Sequence, residues 1–380
     1  MRNFCGITID NDKTFISFVG LNKGLIKPIE EISLKLNFDY DIINFFKKNA
    51  LIISEKIKEK AKSYGFNIEK IFLGLPSQFV TIKTIEEVVP LARLKKITLA
   101  DIEIAKKYVE DSVLCWDEFC LHHFVAWYQI EDKRYKLPPI GVVAKKIAIK
   151  SSIIYLKDKL YQEIDSILAD ADLNLGGFVE ENISDFSMLS EKSDIGSTYV
   201  VINIRYTSSS FAIFKDGLFQ LSKSFPLNLV TIFEELSKKF LISVETARNI
   251  FQQYFSFKDT SYTKEISIRN DNTYINISIG AFNSFLMAFI KNQIEILLEQ
   301  IREILELNDF KILFLGRLNI YEGFMDFLKT FITYNLVLPV ISTVNSSFGC
   351  VYYGLTKFLE SYPKKETFLN RILTIYKEYF

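Results

Sequence analysis

The sequence predicts an α/β protein of two lobes. Each half of the chain opens with consecutive hairpins of buried strands and closes with helices. No short-period repeat accompanies this coarse duplication, which excludes a solenoid or propeller.

In the first half, residues 4–9 and 14–19 form a hairpin around Asp10-Asn11-Asp12-Lys13, and 30–36 supplies a third strand. A helix over 41–64 has Asp41 as its N-cap and Gly65 as its stop. A short buried strand, 70–75, ends at Pro76. Residues 77–149 then read as a compact α+β insert. It comprises strand 80–89, helix 98–109 opened by Thr98 and Asp101 in a capping-box arrangement, and strands 121–130 and 142–149. An amphipathic helix is expected over 152–170. The second half opens with strand 199–204, the polar turn Arg205-Tyr206-Thr207-Ser208-Ser209 and strand 210–214. Asp216-Gly217 turns the chain into strand 218–222. Helices follow over 230–239 and 243–254, the latter capped by Ser243. Residues 266–279 alternate like paired strands around Asn270-Asp271-Asn272. One long helix covers 281–307 and a buried strand 311–315. A turn at Gly316 leads to a helix through Lys329, and a last helix, 348–360, ends before Pro363.

Composition narrows the function. The chain has 380 residues, 49% of them hydrophobic, with zero net charge. A neutral chain has no global pull toward nucleic acid. Four scattered cysteines form no CxxC pair and fit a reducing cytoplasm. The start, MRNFCGITID, lacks the pattern of a signal peptide, and no apolar run is long enough to span a bilayer. Cys120 beside His122-His123 has metal-binding residue types, but alternation along 121–128 reads as a strand with one histidine inward and one outward, so no metal site is expected.

The hydroxyl-rich turn 205–209 between buried strands has the makings of a phosphate cradle. A nucleotide-hydrolysing version needs a nearby acid to hold metal and water. Asn203 and Ser210 occupy the expected positions instead.

Several motifs stand in a particular order: Thr98-x-x-Asp101 opening a helix, Asp117, Leu121-His122, Tyr128, Gly141 before a strand, and the segment 156–186. In this order the chain resembles the actin-like (ribonuclease H-like) two-lobed fold with an SHS2-type insert, specifically the FtsA family of bacterial cell-division proteins. The resemblance covers essentially the whole chain. The PilM family of pilus-assembly proteins also carries such an insert and is the close alternative. The resemblance implies subdomain 1A over 1–76 and 150–197, insert 1C over 77–149, subdomain 2A over 198–230 and 308–362, subdomain 2B over 231–307, and a tail over 363–380.

By the same resemblance the cofactor would be ATP with Mg, but its motifs are degraded here, which implies weak or absent nucleotide binding and no catalytic residue. The first phosphate loop aligns with Gly6 through Asn11, with Thr8 at the metal-directed acid and Asp10 at a glycine. Asp10 is open to two readings, a shifted metal ligand or part of a solvated turn with Asn11 and Lys13. The second loop aligns with 203–210. Arg205 and Tyr206 stand at glycine positions, and Thr207, Ser208 and Ser209 follow, the two serines keeping the hydroxyls. The adenosine loop retains Gly316 and Gly323, with Arg317 between, and Arg248 and Phe251 replace the residues near base and ribose. An actin-like ATPase with rewired acids is the enzymatic alternative.

In the tail, a helix at about 100° per residue gathers Phe368, Leu369, Ile372, Leu373, Ile375, Tyr376, Tyr379 and Phe380 on one arc. Arg371 and Lys377 lie off that arc, able to meet anionic head groups. The alternative is a helix docked on the body. The resemblance implies a peripheral protein on the cytoplasmic face of the membrane at the division site. It would bind the FtsZ C-terminal peptide, assemble with itself into filaments, and bind no nucleic acid.

Overall fold

The computed structural model describes residues 2–38, 41–187, 198–215, 218–258, 264–270, 273–305, 310–337 and 347–361. They form two compact units. One holds the described residues of Met1–Ser187, Gly217–Leu221 and Ser346–Phe380, the other those of Met188–Asp216 and Ser222–Asn345.

The first unit starts with a meander of β1 (Arg2–Asp10), β2 (Lys13–Asn22) and β3 (Leu25–Leu34). β1 and β2 are buried along nearly their whole length, which is why they read as apolar runs. The third strand starts earlier than its sequence suggests. Lys23 and Gly24 take φ of +50° and +80°, so the turn closes at once and pairing begins at Leu25. Helix α1 (Ile42–Ser63) is capped by Asp41, whose Oδ1 accepts the Asn44 N–H at 2.9 Å. Its Phe45, Phe46, Ile53 and Ile57 are buried at helical spacing. Burying each such side chain contributes roughly 1.5–3 kcal/mol. Gly65, at φ +70°, ends the helix.

β4 (Ile68–Leu75) returns parallel to β1. The insert follows: β5 (Thr81–Lys96), α2 (Leu99–Val113), β6 (Glu118–Ile130), β7 (Lys133–Tyr135) and β8 (Val143–Lys157). Its sheet has the order β5-β8-β6-β7, with α2 packed over one face. The capping box at Thr98 and Asp101 is present. The last insert strand runs past residue 149 to Lys157. The expected helix over 152–170 is therefore strand in its first residues and helix only as α3 (Asp158–Asp170). Ile153, Ile154 and Tyr155 favour the pleated state, and both neighbouring strands pair with them. β9 (Leu175–Glu180) and the fully buried α4 (Glu181–Ser187) complete this run.

The second unit repeats the plan. β10 (Thr198–Ile204), β11 (Ser209–Lys215) and β12 (Leu218–Phe225) form a meander, with β12 belonging to this unit only from Ser222 on. α5 (Leu229–Phe240), α6 (Val244–Tyr254), the hairpin β13 (Glu265–Asn270) and β14 (Thr273–Ser278), and α7 (Ile279–Leu305) follow. β15 (Lys311–Gly316) lies parallel to β10, then come α8 (Phe324–Lys329) and β16 (Asn335–Val337). The two five-stranded sheets have the orders β3-β2-β1-β4-β9 and β12-β11-β10-β15-β16, the same topology used twice. Among the described residues no helix is long and apolar enough to cross a membrane.

The last described helix, α9 (Ser347–Ser361), corrects one expectation. It belongs to the first unit, not with 308–337 in the second. Cys350, Val351 and Leu355 are fully buried. Two glycines permit the approach. A Cβ on Gly6 would overlap the Ser347 carbonyl, and a Cβ on Gly354 would overlap the Phe72 ring. Phe358 then packs edge-on against Phe4 and Phe72, at 6.3 and 6.4 Å. Ser347 Oγ donates to Glu31 at 2.8 Å and shares a hydrogen bond with Ser17, fixing the start of the helix on β2 and β3.

Gly354→Ala tests this seating. Alanine gains about 1 kcal/mol in helix propensity, but forcing a methyl into a closed core costs roughly 1–3 kcal/mol and displaces Phe72. The expected outcome is a lower urea midpoint at unchanged slope. A midpoint equal to or above wild type contradicts the close approach.

Candidate functional site

The residues aligned with phosphate motifs fall in two sets. In the first unit, β1 and β2 close on a two-residue turn in which Asp10 pairs with Lys13. The Asn11 N–H donates to Asp10 Oδ1 at 2.8 Å, and the Asn11 carbonyl accepts from the Phe38 N–H at 2.7 Å. Neither Asn11 nor Asp12 has a positive φ. A concave cradle of successive N–H groups needs alternation of right- and left-handed residues, and this turn lacks it. Thr8 is 2% exposed within β1, its methyl close to Gly74. Gly6 lies mid-strand under α9, so the helix rather than a phosphate requires glycine there.

In the second unit, the turn 205–208 is likewise without a positive φ. The Arg205 N–H donates to Ser209 Oγ at 3.1 Å. The first N–H groups of α5, from Leu229 and Val230, donate to the Arg205 and Tyr206 carbonyls at 3.1 and 3.0 Å. The positive end of that helix is thus occupied by the turn itself. Thr207 and Ser208 are half-buried beside it. Gly316 stands next to Ile204 at φ +95°, where a Cβ would overlap the Ile204 carbonyl. Arg317 is buried in the following 3-10 turn. Gly323 packs against Lys258, apart from any phosphate role.

The residues aligned with the base and ribose positions, Arg248 and Phe251, belong to an aromatic cluster. Tyr206 lies against Phe233 at 6.0 Å with the Arg248 guanidinium over it at 5.3 Å. Phe251 is fully buried, stacked on Phe255 at 4.6 Å and edge-on to Tyr321 at 4.9 Å. Burial pushes the Tyr321 hydroxyl up to about 12. ATP with Mg does not fit these residues. The turns use their own donors, and Thr8, Asn203 and Ser210 offer no carboxylate at the family positions. The tail residues 368–380 lie outside the described residues.

The first unit carries a different concavity. β9 is the edge of its sheet among the described residues. Beside it lies a groove of about 280 Å³ lined by Phe119, His122, Tyr161, Phe178, Tyr353, Lys357 and Phe358, among others. Gly177, at φ +149°, has nothing within 4 Å of a would-be Cβ, so no side chain packs over it. His122 sits at the groove's inner end, perpendicular to Tyr353 at 5.1 Å. Its Nε2 accepts the Glu180 N–H at 3.2 Å. Burial, with the nearby Lys357 charge, pushes the imidazole down to about 3, so it is neutral. Glu180 is fully buried, and desolvation raises its carboxyl. The donors Ser77 at 2.6 Å, Asn182 at 2.8 Å and the Ile183 N–H at 3.0 Å oppose that shift. A larger cavity of about 630 Å³ near the end of α1 is lined by groups that already pair, Lys58 with Asp172 and Lys70 with Asn174.

The second histidine is not outward. His123 Nδ1 meets Glu110 at 3.0 Å and Nε2 meets Ser151 Oγ at 2.9 Å. His123 in turn holds the Glu110 carboxyl below its usual range. The order resembles a hydrolytic triad, but Ser151 has no exposed surface. A nucleophile must reach its substrate, so these groups clamp α2 to the insert sheet. Cys115, Asp117 and Glu118 also cluster, but Lys157 bridges both acids at 3.0 Å.

No protein-family model and no curated protein matches the chain. Among solved structures, a PilM–PilN type IV pilus biogenesis complex is similar at 12% identity and TM-score 0.61, covering 95% of this chain and 98% of that one. The fold is actin-like. The ethanolamine utilization protein EutJ of Carboxydothermus hydrogenoformans matches at 10% identity and TM-score 0.49, over 93% of this chain and 90% of that one. MreB5 of Spiroplasma citri bound to ADP matches at 11% identity and TM-score 0.47, over 100% and 99%. At such identities the likeness is one of fold.

The groove residues were missed in sequence because 122, 178 and 353 meet only in three dimensions. His122 generates a pH prediction. An unfolded histidine titrates near 6.5, so between pH 6.5 and about 3 the unfolded chain binds the extra proton. His122's contribution is fully present above that window and lost as pH falls, at up to about 1.4 kcal/mol per unit. His122→Gln, which keeps an acceptor for the Glu180 N–H, should lose less stability than wild type between pH 6 and 4. Parallel losses contradict a neutral buried His122.

Proposed function

We propose that the chain is a non-hydrolysing assembly scaffold that uses its actin-like fold to hold an extended peptide of a partner protein, as a PilM-type protein. The observation that carries this is the pairing of closed nucleotide motifs with an open aromatic groove along the β9 edge. An edge strand offers main-chain donors and acceptors to an added strand, and flanking pockets read alternate side chains. Phe178, Tyr353 and Phe358 suit apolar anchors, and Lys357 suits a carboxylate or a carbonyl. The PilM–PilN likeness, running nearly the full length of both chains, supports the pilus-type partner.

A second reading is a division tether of the FtsA type, which binds FtsZ filaments and the membrane. The amphipathic pattern of residues 363–380 favours it. Self-assembly into filaments is compatible with both readings.

Fluorescence polarisation with two kinds of labelled peptide separates them. One is a set of peptides that tiles a PilN-type protein from the same cell, the other the FtsZ C-terminal segment. A pilus-type peptide should bind, and Tyr353→Ala with Lys357→Glu should weaken it by roughly tenfold or more, as for the loss of an anchor worth at least about 1.4 kcal/mol. Binding of the FtsZ segment alone, insensitive to those changes, favours the tether. Binding of neither overturns the groove's role.

A further inference from the structure

The insert ends in a tip that is apolar and basic at once. Its sheet joins the rest of the first unit at the Thr81↔Tyr155 end, and the tip is the opposite end, where Lys96 pairs with Val143. Between the pairs Pro90↔Lys146 and Lys95↔Ala144, β5 carries residues 91–94 against the single Lys145, so this stretch bulges outward. The loop 136–142 is pinned beside it, with the Gly141 N–H donating to the Ile97 carbonyl at 2.8 Å and the Ile97 N–H to the Val142 carbonyl at 2.9 Å. The bulge, the loop and the strand start they hold together each leave large apolar side chains in water. Leu137 is 79% exposed, Leu94 67%, Ile140 54% and Val143 53%.

The exposed charges on the bulge and the paired strand ends are basic, while the exposed Glu103 near the start of the neighbouring α2 pairs with Lys106. Arg93, Lys96, Lys145 and Lys146 are exposed on the same bulge and strand starts. Lys95 is taken by the buried Asp101. The acids of this end, Glu131 and Asp132, lie on the β6–β7 turn, where Lys133 and Arg134 follow at once.

We propose that this tip is a membrane-contacting surface for anionic lipid. Isolated surface leucines are ordinary, but a cluster of them is not. The ring of lysine decides the occupant. Protein interfaces are depleted in lysine and built on aromatic anchors, whereas the tip offers aliphatic side chains ringed by long cationic stems. That is the chemistry of a loop that sinks apolar groups beneath head groups and leaves ammonium groups at the phosphates. The surface is distinct from the tail and from the β9 groove, and it does not rest on the scaffold reading.

The test is co-sedimentation of the full chain with phosphatidylcholine vesicles, with and without phosphatidylglycerol. The tail contribution is first removed by Phe368→Glu, Ile372→Glu and Tyr376→Glu. That chain should still sediment with the anionic vesicles, less at high salt, and remain in solution with the neutral ones. Adding Leu94→Glu, Leu137→Glu and Ile140→Glu, all at exposed positions, should cut the bound fraction roughly tenfold. Three results overturn the proposal: no sedimentation of the tail-substituted chain on anionic vesicles, equal sedimentation on both vesicle types, or binding unaffected by the tip substitutions. The first of these would leave the tip as a surface for a protein.

Discussion

The first unit depends on how closely α9 lies on its sheet. The helix backbone at Ser347 meets the strand at Gly6, and Gly354 leaves room for the Phe72 ring. Neither contact tolerates a Cβ, since packed interiors respond to a single methyl. Once α9 is seated, Tyr353, Lys357 and Phe358 are carried to the side of β9 and become one wall of the groove. The same seating encloses α4, whose residues are all buried, and with it the hydrogen-bonded Glu180. A helix from the end of the chain therefore shapes the site at the edge of the first sheet.

The second unit shows the other side of the account. An actin-like sheet and its crossover place a turn and a glycine where a phosphate could be met. The local bonds then close that possibility. The turn donates to Ser209, the start of α5 donates to the turn, and Phe251, Phe255 and Tyr321 occupy one another's faces. A buried aromatic cluster of this kind stabilises through area and edge-to-face geometry.

Much of the fold was legible because its signals are local. Asp41, Thr98 and Ser243 cap the helices they precede, and the hairpins close where their turn residues stand. The repeated sheet order follows from strands placed by those same turns. What escaped notice depends on distant residues. Residues 153–155 resemble a helix start until β5 and β6 pair with them on both sides. Helix 347–361 resembles the end of the second lobe until its glycines meet Phe72 and β1. His123 turns inward because Glu110 and Ser151 receive its two nitrogens. The altered phosphate motifs could be read as degraded, but not as joined to an aromatic cluster, since Tyr206, Phe251 and Tyr321 are far apart in the chain.

The proposed scaffold role requires a peptide-binding surface and no nucleotide. Isothermal titration calorimetry of the full chain with Mg-ATP, followed by an assay for released phosphate, tests it most directly. The account predicts no saturable heat at micromolar nucleotide and no phosphate above the buffer rate. Stoichiometric micromolar binding with turnover would contradict it.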